Sequence, residues 1–219
     1  MRLARPAAVV FDMDGLLFDT EKLYFEALRT LVSDHGLHPI GGEIQRSSIG
    51  LCWQDTRRLL DELLPLELDP DQFVADWKAG YDRLADSKVD LKPGAIELLD
   101  HLEVLEIPCA VASNSHGDAI THHLAKHGLS PRFRAVVSGN DCVRGKPAPD
   151  PYLEAARLLG VPPADCLALE DSVNGVLSAS SAGMLTIMIP DMVQPDETTE
   201  LLCVAVVGSL TEVREMLGT

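Results

Sequence analysis

The sequence predicts an α/β protein in which a helical domain is inserted into a domain built on a parallel sheet. Short uncharged apolar runs, such as residues 7–11 (AAVVF) and 185–189 (LTIMI), alternate with helical patterns in the later part of the chain. Strands that are apolar throughout and separated by helices are typical of a parallel sheet covered on both faces. The block that follows the first strand contains only helical patterns. We therefore predict a Rossmann-like core of residues 1–18 and 89–219, and an α-helical cap of residues 19–88.

The cap is predicted to contain three amphipathic helices. From Asp19 to His35, apolar residues at helical spacing form one stripe, and Gly36 is a typical helix end. A second helix fits residues 54–64, and a third fits residues 71–85 with aromatic side chains at helical spacing. We expect these apolar stripes to pack together as the core of a small helical bundle.

The core alternates strands with helices. The strands predicted after the first one are residues 108–112, 135–137, 166–169, 185–189 and 204–207. The predicted helices are residues 95–105, 118–127, 150–159 and 173–182, and a last one that follows a capping box of Ser209 and Glu212. In such sheets, ligands bind at the carboxyl ends of the strands. Polar residues directly after these strands are therefore the candidates for a functional site.

Composition and charge exclude several classes of function. The 219 residues are 46% hydrophobic and carry a formal net charge of −16, which argues against binding a nucleic-acid backbone. No apolar run reaches the roughly 18 residues of a membrane span, and no secretory signal is visible. The five cysteines form no C-x-x-C pair and are interpreted as free thiols of a reducing compartment. We expect a monomeric cytoplasmic protein with no nucleic-acid or membrane partner.

Acidic residues follow two of the predicted strands. Asp12 and Asp14 come directly after the first strand and, being two apart, point to the same side. Glu170 and Asp171 follow the strand of residues 166–169. Four carboxylates at one edge of a sheet repel each other unless a cation compensates them. Oxygen ligands suit a hard divalent cation, and Mg²⁺ fits a site that also receives phosphate.

Hydroxyl, amide and ammonium groups follow other strand ends. Ser113 and Asn114 suit phosphate oxygens beside helix amides, although serine and asparagine are also ordinary turn residues. Lys146 lies in the run GKPAPD (residues 145–150), where glycine and prolines leave it little conformational freedom to lose. The alternative is a solvated loop lysine. At the same sheet edge, a metal ion and Lys146 would offset the carboxylates and an incoming phosphoryl group.

These motifs, taken in order, resemble the four motifs of the haloacid dehalogenase superfamily. They are residues 12–21 (DMDGLLFDTE), Ser113, Lys146 and the pair Glu170–Asp171, and the match spans nearly the whole chain. Within the superfamily, the chain resembles the group with a helical cap inserted after the first motif. That group includes small-molecule phosphatases and β-phosphoglucomutase. The start of the cap and the segment 183–191 are most similar to the pseudouridine 5′-phosphatase-type branch.

The resemblance implies a Mg²⁺-dependent phosphatase that hydrolyses a small phosphomonoester, a sugar or nucleotide monophosphate, through an aspartyl-phosphate intermediate. Asp12 would be the nucleophile, and a carboxylate needs no activating base. Asp14 would be the general acid and base. Ser113, Asn114 and Lys146 would hold the phosphoryl oxygens and stabilise the transition state.

The same resemblance implies the metal ligands. Asp12, the backbone carbonyl of Asp14 and Asp171 would bind Mg²⁺. Glu170 would be either a direct ligand or a residue beside the ligands. Because Asp14 supplies an acid, which a haloacid dehalogenase would lack at this position, dehalogenation is not expected.

The resemblance places substrate recognition in the cap turn of residues 47–53, and Tyr24, Gly50 and Trp53 are the candidate substrate residues. The mutase group carries a histidine where Tyr24 stands and an arginine near Trp53, and this sequence has neither there. The sequence therefore favours a phosphatase over a β-phosphoglucomutase-type phosphotransferase, which is the alternative.

Two other functions fit the sequence less well. A phospho-receiver domain also has a parallel sheet, an acidic cluster and a lysine, but it lacks a helical insert such as residues 19–88. A non-catalytic member of the superfamily that binds a phospho-ligand or a partner is disfavoured because no catalytic position is missing.

Histidines at positions 116, 122, 123 and 127 cluster on one segment. His123 and His127 are four apart, as two metal ligands on a helix can be. No carboxylate or cysteine accompanies them at ligand spacing. We predict a solvated helix face.

Overall fold

A computed structural model describes residues 3–49, 51 and 53–218. The chain forms two compact units: a sheet unit, which runs to Phe18 and resumes at Leu91, and a helical unit, Asp19–Asp90. Separate roles for the two units stay a prediction. Within the described residues, no helix is both long enough and apolar enough to cross a membrane.

The sheet unit is built on a six-stranded parallel sheet in the order β3-β2-β1-β4-β5-β6. The strands are β1 (Ala8–Phe11), β2 (Cys109–Ala112), β3 (Ala135–Val137), β4 (Cys166–Glu170), β5 (Leu185–Met188) and β6 (Ala205–Val206).

The centre of the sheet is β1, whose Val10 lies opposite Ala110 of β2 and Ala168 of β4. Every residue of these three strands is buried. Full burial means that both faces are covered, as the uncharged apolar runs predict. The predicted fold class is confirmed, and the carboxyl ends of β1, β2 and β4 lie side by side.

The helical unit contains α1 (Glu21–Asp34), α2 (His38–Ser48), α3 (Trp53–Leu63) and α4 (Pro70–Lys88). Its buried apolar side chains form one cluster around Trp77, which is fully buried and donates a hydrogen bond from Nε1 to the carbonyl of Tyr24 over 2.9 Å. The sequence pattern predicts three of these helices. It misses α2, which begins at a His-Pro pair and contains two adjacent glycines.

Helices of the sheet unit are α5 (Ala95–Val104), α6 (Gly117–Lys126), α7 (Asp150–Leu159), α8 (Val173–Ser181), α9 (Glu197–Leu202) and α10 (Leu210–Leu217). They alternate with the strands from β2 onward. The predicted capping box is present, since Ser209 Oγ accepts from the amide of Glu212 over 3.3 Å. The short α9 is missed, although Asp196 caps it by accepting from the amide of Thr199 over 2.8 Å. The four described cysteines are free thiols.

Candidate active site

A tight loop after β1 presents Asp12 and Asp14. The amide of Asp12 donates to the carbonyl of Leu169 over 3.0 Å, so its backbone still belongs to the sheet. Gly15 has a φ of +82°, the left-handed region that favours glycine. A Cβ atom at Gly15 would lie 2.3 Å from Oδ2 of Asp171. The glycine therefore allows the loop after β1 to approach the loop after β4.

Lys146 is a buried cation between two strand ends. Its Nζ donates to Oδ1 of Asp12 and, over 2.5 Å, to Oε1 of Glu170, and its side chain is 3% exposed. Burial alone would lower the pKa of Lys146, but the carboxylates of Asp12 and Glu170 outweigh it and raise the pKa. A charged lysine therefore lies at the acidic edge of the sheet.

Glu170 is the most enclosed carboxylate of the site, with no exposed surface. Besides Lys146, it accepts from Tyr152 Oη over 2.5 Å, from the amide of Asp171 over 3.2 Å and from Ser172 Oγ over 3.3 Å. Tyr152 is fully buried, and Lys146 Nζ lies 5.0 Å from the centre of its ring. Burial and the Glu170 carboxylate raise the pKa of Tyr152, so the phenol stays a donor. Protein donors therefore occupy both oxygens of Glu170.

Asp12, Glu170 and Asp171 form a buried acidic cluster. Each offers a carboxylate oxygen, and these atoms lie within 4.8 Å of one another. Burial raises the pKa of Asp12, and Lys146 opposes that rise. One lysine against three carboxylates leaves an excess of negative charge, and carboxylate oxygens are the ligands that hard cations prefer. The donor set therefore fits a divalent metal ion.

Asp14 is half-buried and held by two serines. Ser115 Oγ donates to Oδ2 of Asp14 over 2.7 Å, and Ser113 Oγ approaches the same oxygen at 3.2 Å. These bonds join the end of β2 to the loop after β1. The predicted contact of Ser113 with a phosphoryl group stays a prediction.

The side-chain amide of Asn114 holds the backbone of Lys146. Its Oδ1 accepts from the amide of Lys146 over 2.8 Å, and its Nδ2 donates to the lysine carbonyl over 3.2 Å. Asn114 therefore fixes the loop that carries the buried lysine. Its predicted contact with a phosphoryl group stays a prediction.

The candidate substrate residues of the cap are in the helical unit. The Tyr24 ring centre lies 5.1 Å from that of Trp53 and 4.3 Å from that of Trp77. Both Tyr24 and Trp53 are half-buried members of an aromatic cluster. Gly50 lies outside the described residues.

The predicted solvated histidine face is wrong for His123. This side chain is 3% exposed, and its ring centre lies 5.6 Å from that of Phe18. The register of α6 turns His123 towards the loop after β1, while His116 and His122 remain exposed. Burial lowers the pKa of His123, which favours the neutral ring.

A model of the haloacid dehalogenase-like hydrolase family matches residues 9–189, most of the chain and every strand of the sheet except β6 and the start of β1. The chain belongs to the haloacid dehalogenase-like hydrolase family. The predicted superfamily and the prediction of an enzyme are thereby confirmed.

Several relatives of the chain are named as phosphatases. The chain is 39% identical over 189 residues to a probable pseudouridine-5′-phosphatase of Drosophila melanogaster, covering 83% of this chain and 80% of the relative. It is 32% identical to a phosphorylated carbohydrates phosphatase of Thermotoga maritima, covering 81% and 82%. A crystal structure of a putative β-phosphoglucomutase from Thermotoga maritima superimposes with a TM-score of 0.74 at 28% identity, covering 96% of each chain.

Two residues of this hydrolase site are missed by the sequence analysis. Ser115 could have been identified from the sequence, because it is the second hydroxyl residue in the run SNS that follows β2. Tyr152 had none, since it reads as one more apolar residue of α7, and only the fold brings its hydroxyl to Glu170.

Gly175 of α8 allows a close approach of the helix to Glu170. A Cβ atom at Gly175 would lie 1.9 Å from the Glu170 carboxyl group, which is buried and has no room to move. We expect Gly175→Ala to lower the free energy of unfolding by about 2 kcal/mol, although alanine is the better helix former. Urea denaturation measures this change.

The matched control is Gly42→Ala in the interior of α2. There the nearest atom to an added Cβ is the flexible end of Arg46, at 3.4 Å. We expect this variant to be more stable by up to about 1 kcal/mol. Equal stability of the two variants would contradict a tight contact at Gly175.

Proposed function

We propose that this hydrolase is a Mg²⁺-dependent phosphatase that acts on small phosphomonoesters through a phosphoryl-aspartate at Asp12. The observation that carries the proposal is the position of Asp12. Its carboxylate accepts from the buried Lys146, lies within the acidic cluster and precedes by two residues the serine-bound Asp14.

In the first step, an oxygen of Asp12 attacks phosphorus and the bond from phosphorus to the ester oxygen breaks. Asp14, as the acid, gives its proton to the leaving oxygen, which departs as an alcohol. Lys146 donates to the Asp12 carboxylate, and from this position its charge would stabilise the phosphoryl oxygens in the transition state. Ser113, which is 1% exposed, is proposed as a further donor to these oxygens.

In the second step, Asp14 acts as the base. It takes a proton from water while the water oxygen attacks phosphorus. The bond from phosphorus to the Asp12 oxygen breaks, which releases phosphate and regenerates the Asp12 carboxylate. Asp14 ends the cycle protonated and is ready for the next ester.

Mg²⁺ would be held by the carboxylates of Asp12 and Asp171 and by the backbone carbonyl of Asp14. Bound there, Mg²⁺ supplies positive charge beside the phosphoryl oxygens. Because protein donors occupy both oxygens of Glu170, we propose that Glu170 orients Lys146 and is not a direct ligand.

We propose a sugar or nucleotide monophosphate as the substrate class and the helical unit, residues 19–88, as the cap that selects it. The names of the Drosophila and Thermotoga phosphatases support this class. We also propose a monomer, because the described strand ends of one chain supply all the residues of the chemistry.

A phosphotransferase of the mutase type is the second candidate, since a structural relative is titled a putative β-phosphoglucomutase. A panel of phosphomonoesters separates the two and should include hexose phosphates and pseudouridine 5′-phosphate. We expect phosphate release that requires Mg²⁺ and stops with chelator. Conversion of β-glucose 1-phosphate to glucose 6-phosphate without phosphate release would favour the mutase.

Metal binding should also be visible without turnover. We expect Mg²⁺ at a hundredfold its Kd to raise the free energy of unfolding by about 2.7 kcal/mol, because it binds the folded cluster. Urea denaturation with and without Mg²⁺ measures the change. Asp171→Asn should lose most of the increment, whereas Asp165→Asn, an exposed residue at the opposite end of β4, should keep it. An equal increment in both variants would contradict a metal at Asp171.

A further inference from the structure

The carboxylate of Asp14 receives both of its hydrogen bonds on one oxygen. Ser115 Oγ donates to Oδ2 over 2.7 Å and Ser113 Oγ over 3.2 Å. Among the described residues, no other group donates to this carboxylate. The shorter of the two bonds comes from Ser115, for which the resemblance to the haloacid dehalogenase family gave no role.

The backbone around Ser115 is fixed by groups other than Asp14. The carbonyl of Ser115 accepts from the amide of Gly139 over 3.0 Å, and the amide of Ser115 donates to Ser113 Oγ over 3.0 Å. A Cβ atom at Gly139 would lie 2.4 Å from the carbonyl oxygen of Asn114, so the loops after β2 and β3 are in close contact. The backbone that carries the Ser115 hydroxyl is therefore held independently of Asp14.

We propose that Ser115 is a positioning residue that orients Asp14 for proton transfer. The proposal rests on the proposed phosphatase function, in which Asp14 donates a proton and later accepts one. Two serine hydroxyls fill the acceptor positions of Oδ2, so the proton of the acid form resides on Oδ1. Holding Oδ2 thereby directs Oδ1 to the leaving oxygen and, in the next step, to water.

The test compares esters whose leaving groups differ in basicity. An alkoxide needs a proton as it leaves, whereas p-nitrophenolate leaves without one. We expect Ser115→Ala to lower kcat/KM about tenfold for alkyl phosphates, the effect of losing one hydrogen bond to a charged group, and to change it little for p-nitrophenyl phosphate. Both esters form the same phosphoryl-aspartate. Where hydrolysis of this intermediate limits turnover, kcat should fall by the same factor for both esters.

Two further variants separate orientation from structure. Ser115→Thr keeps the hydroxyl and should retain the kcat/KM of the wild type for alkyl esters. Ser138→Ala removes a buried serine at the end of β3, whose hydroxyl donates to Asp141 over 2.7 Å and not to Asp14. Any loss in Ser138→Ala should be the same for alkyl and aryl esters.

The outcomes distinguish this inference from the proposed function. An active wild type with equal losses of kcat/KM on both esters in Ser115→Ala, or with no loss, would overturn the positioning role and leave the phosphatase intact. A wild type that releases no phosphate from any ester in Mg²⁺ would overturn the phosphatase and, with it, the role of Ser115.

Discussion

Asp12→Asn is expected to lower phosphate release by about 10⁴-fold or more. An amide in place of the carboxylate removes the nucleophile, and no other described carboxylate both contacts Lys146 and ends β1. The measurement is phosphate release in Mg²⁺ from the best ester of the panel. Residual activity within about tenfold of the wild type would contradict the phosphoryl-aspartate, since the loss of a nucleophile exceeds that of a single hydrogen bond.

Measuring the stability of Asp12→Asn shows whether its activity is lost because the nucleophile is missing or because the chain no longer folds. Burial raises the pKa of Asp12 in the folded chain. Ionisation of this carboxyl group therefore lowers the free energy of unfolding as the pH rises from the pKa of the unfolded chain, about 4, through the pKa of the folded chain. The substituted amide carries no such charge. We therefore expect Asp12→Asn to gain stability relative to the wild type between pH 5 and 8, measured by urea denaturation, while its activity is lost. Asp165→Asn should change neither quantity.

The sequence could predict the sheet and the strand ends because both depend on local patterns. An uncharged run such as residues 7–11 has to be buried, and a charged pair directly after it has to lie at the end of the strand. Asp12, Asp14, Lys146 and the Glu170–Asp171 pair are all brought to one edge in this way. Parallel topology does the rest, since it aligns the carboxyl ends of strands that are far apart in sequence.

The contacts between those side chains could not be predicted, because they depend on packing across the fold. Nothing in the sequence signals that the side-chain amide of Asn114 holds the backbone of Lys146, 32 residues away. The hydroxyl of Tyr152 reaches Glu170 only because α7 packs against the sheet. His123 is buried because of the rotation of α6, and a histidine at that spacing fits a solvated face equally well. Residue types predict which groups line an edge, and packing decides which partners they take.

Lys146→Met is expected to lower both activity and stability. The buried Lys146 forms ion pairs with Asp12 and Glu170. Its removal leaves buried carboxylates without this partner, and breaking a buried ion pair costs about 3–5 kcal/mol. Loss of its charge at the phosphoryl oxygens should lower kcat about 10²–10³-fold. Urea denaturation and phosphate release measure the two effects.

The stability loss of Lys146→Met should depend on pH, and the pKa of Asp12 gives the direction. Lys146 is the described group that opposes the effect of burial on Asp12, so without it the pKa of Asp12 rises further in the folded variant. Because the pKa of Asp12 is higher in the folded chain, its contribution to stability is complete below the pKa of the unfolded chain, about 4. That contribution is lost as the pH rises through the pKa of the folded chain. The stability difference between the wild type and Lys146→Met should therefore grow from pH 5 to pH 8.

Lys92→Met is the matched control for charge removal in the same unit. Lys92 Nζ donates to Asp191 over 2.8 Å, but the two side chains are 22% and 18% exposed and form a single pair. Water can solvate Asp191 when the lysine is lost, so we expect a cost of at most about 1 kcal/mol and little change between pH 5 and 8. If Lys146→Met behaved in the same way, the buried lysine would not be what keeps the acidic cluster folded, and a bound cation would have to supply that stability.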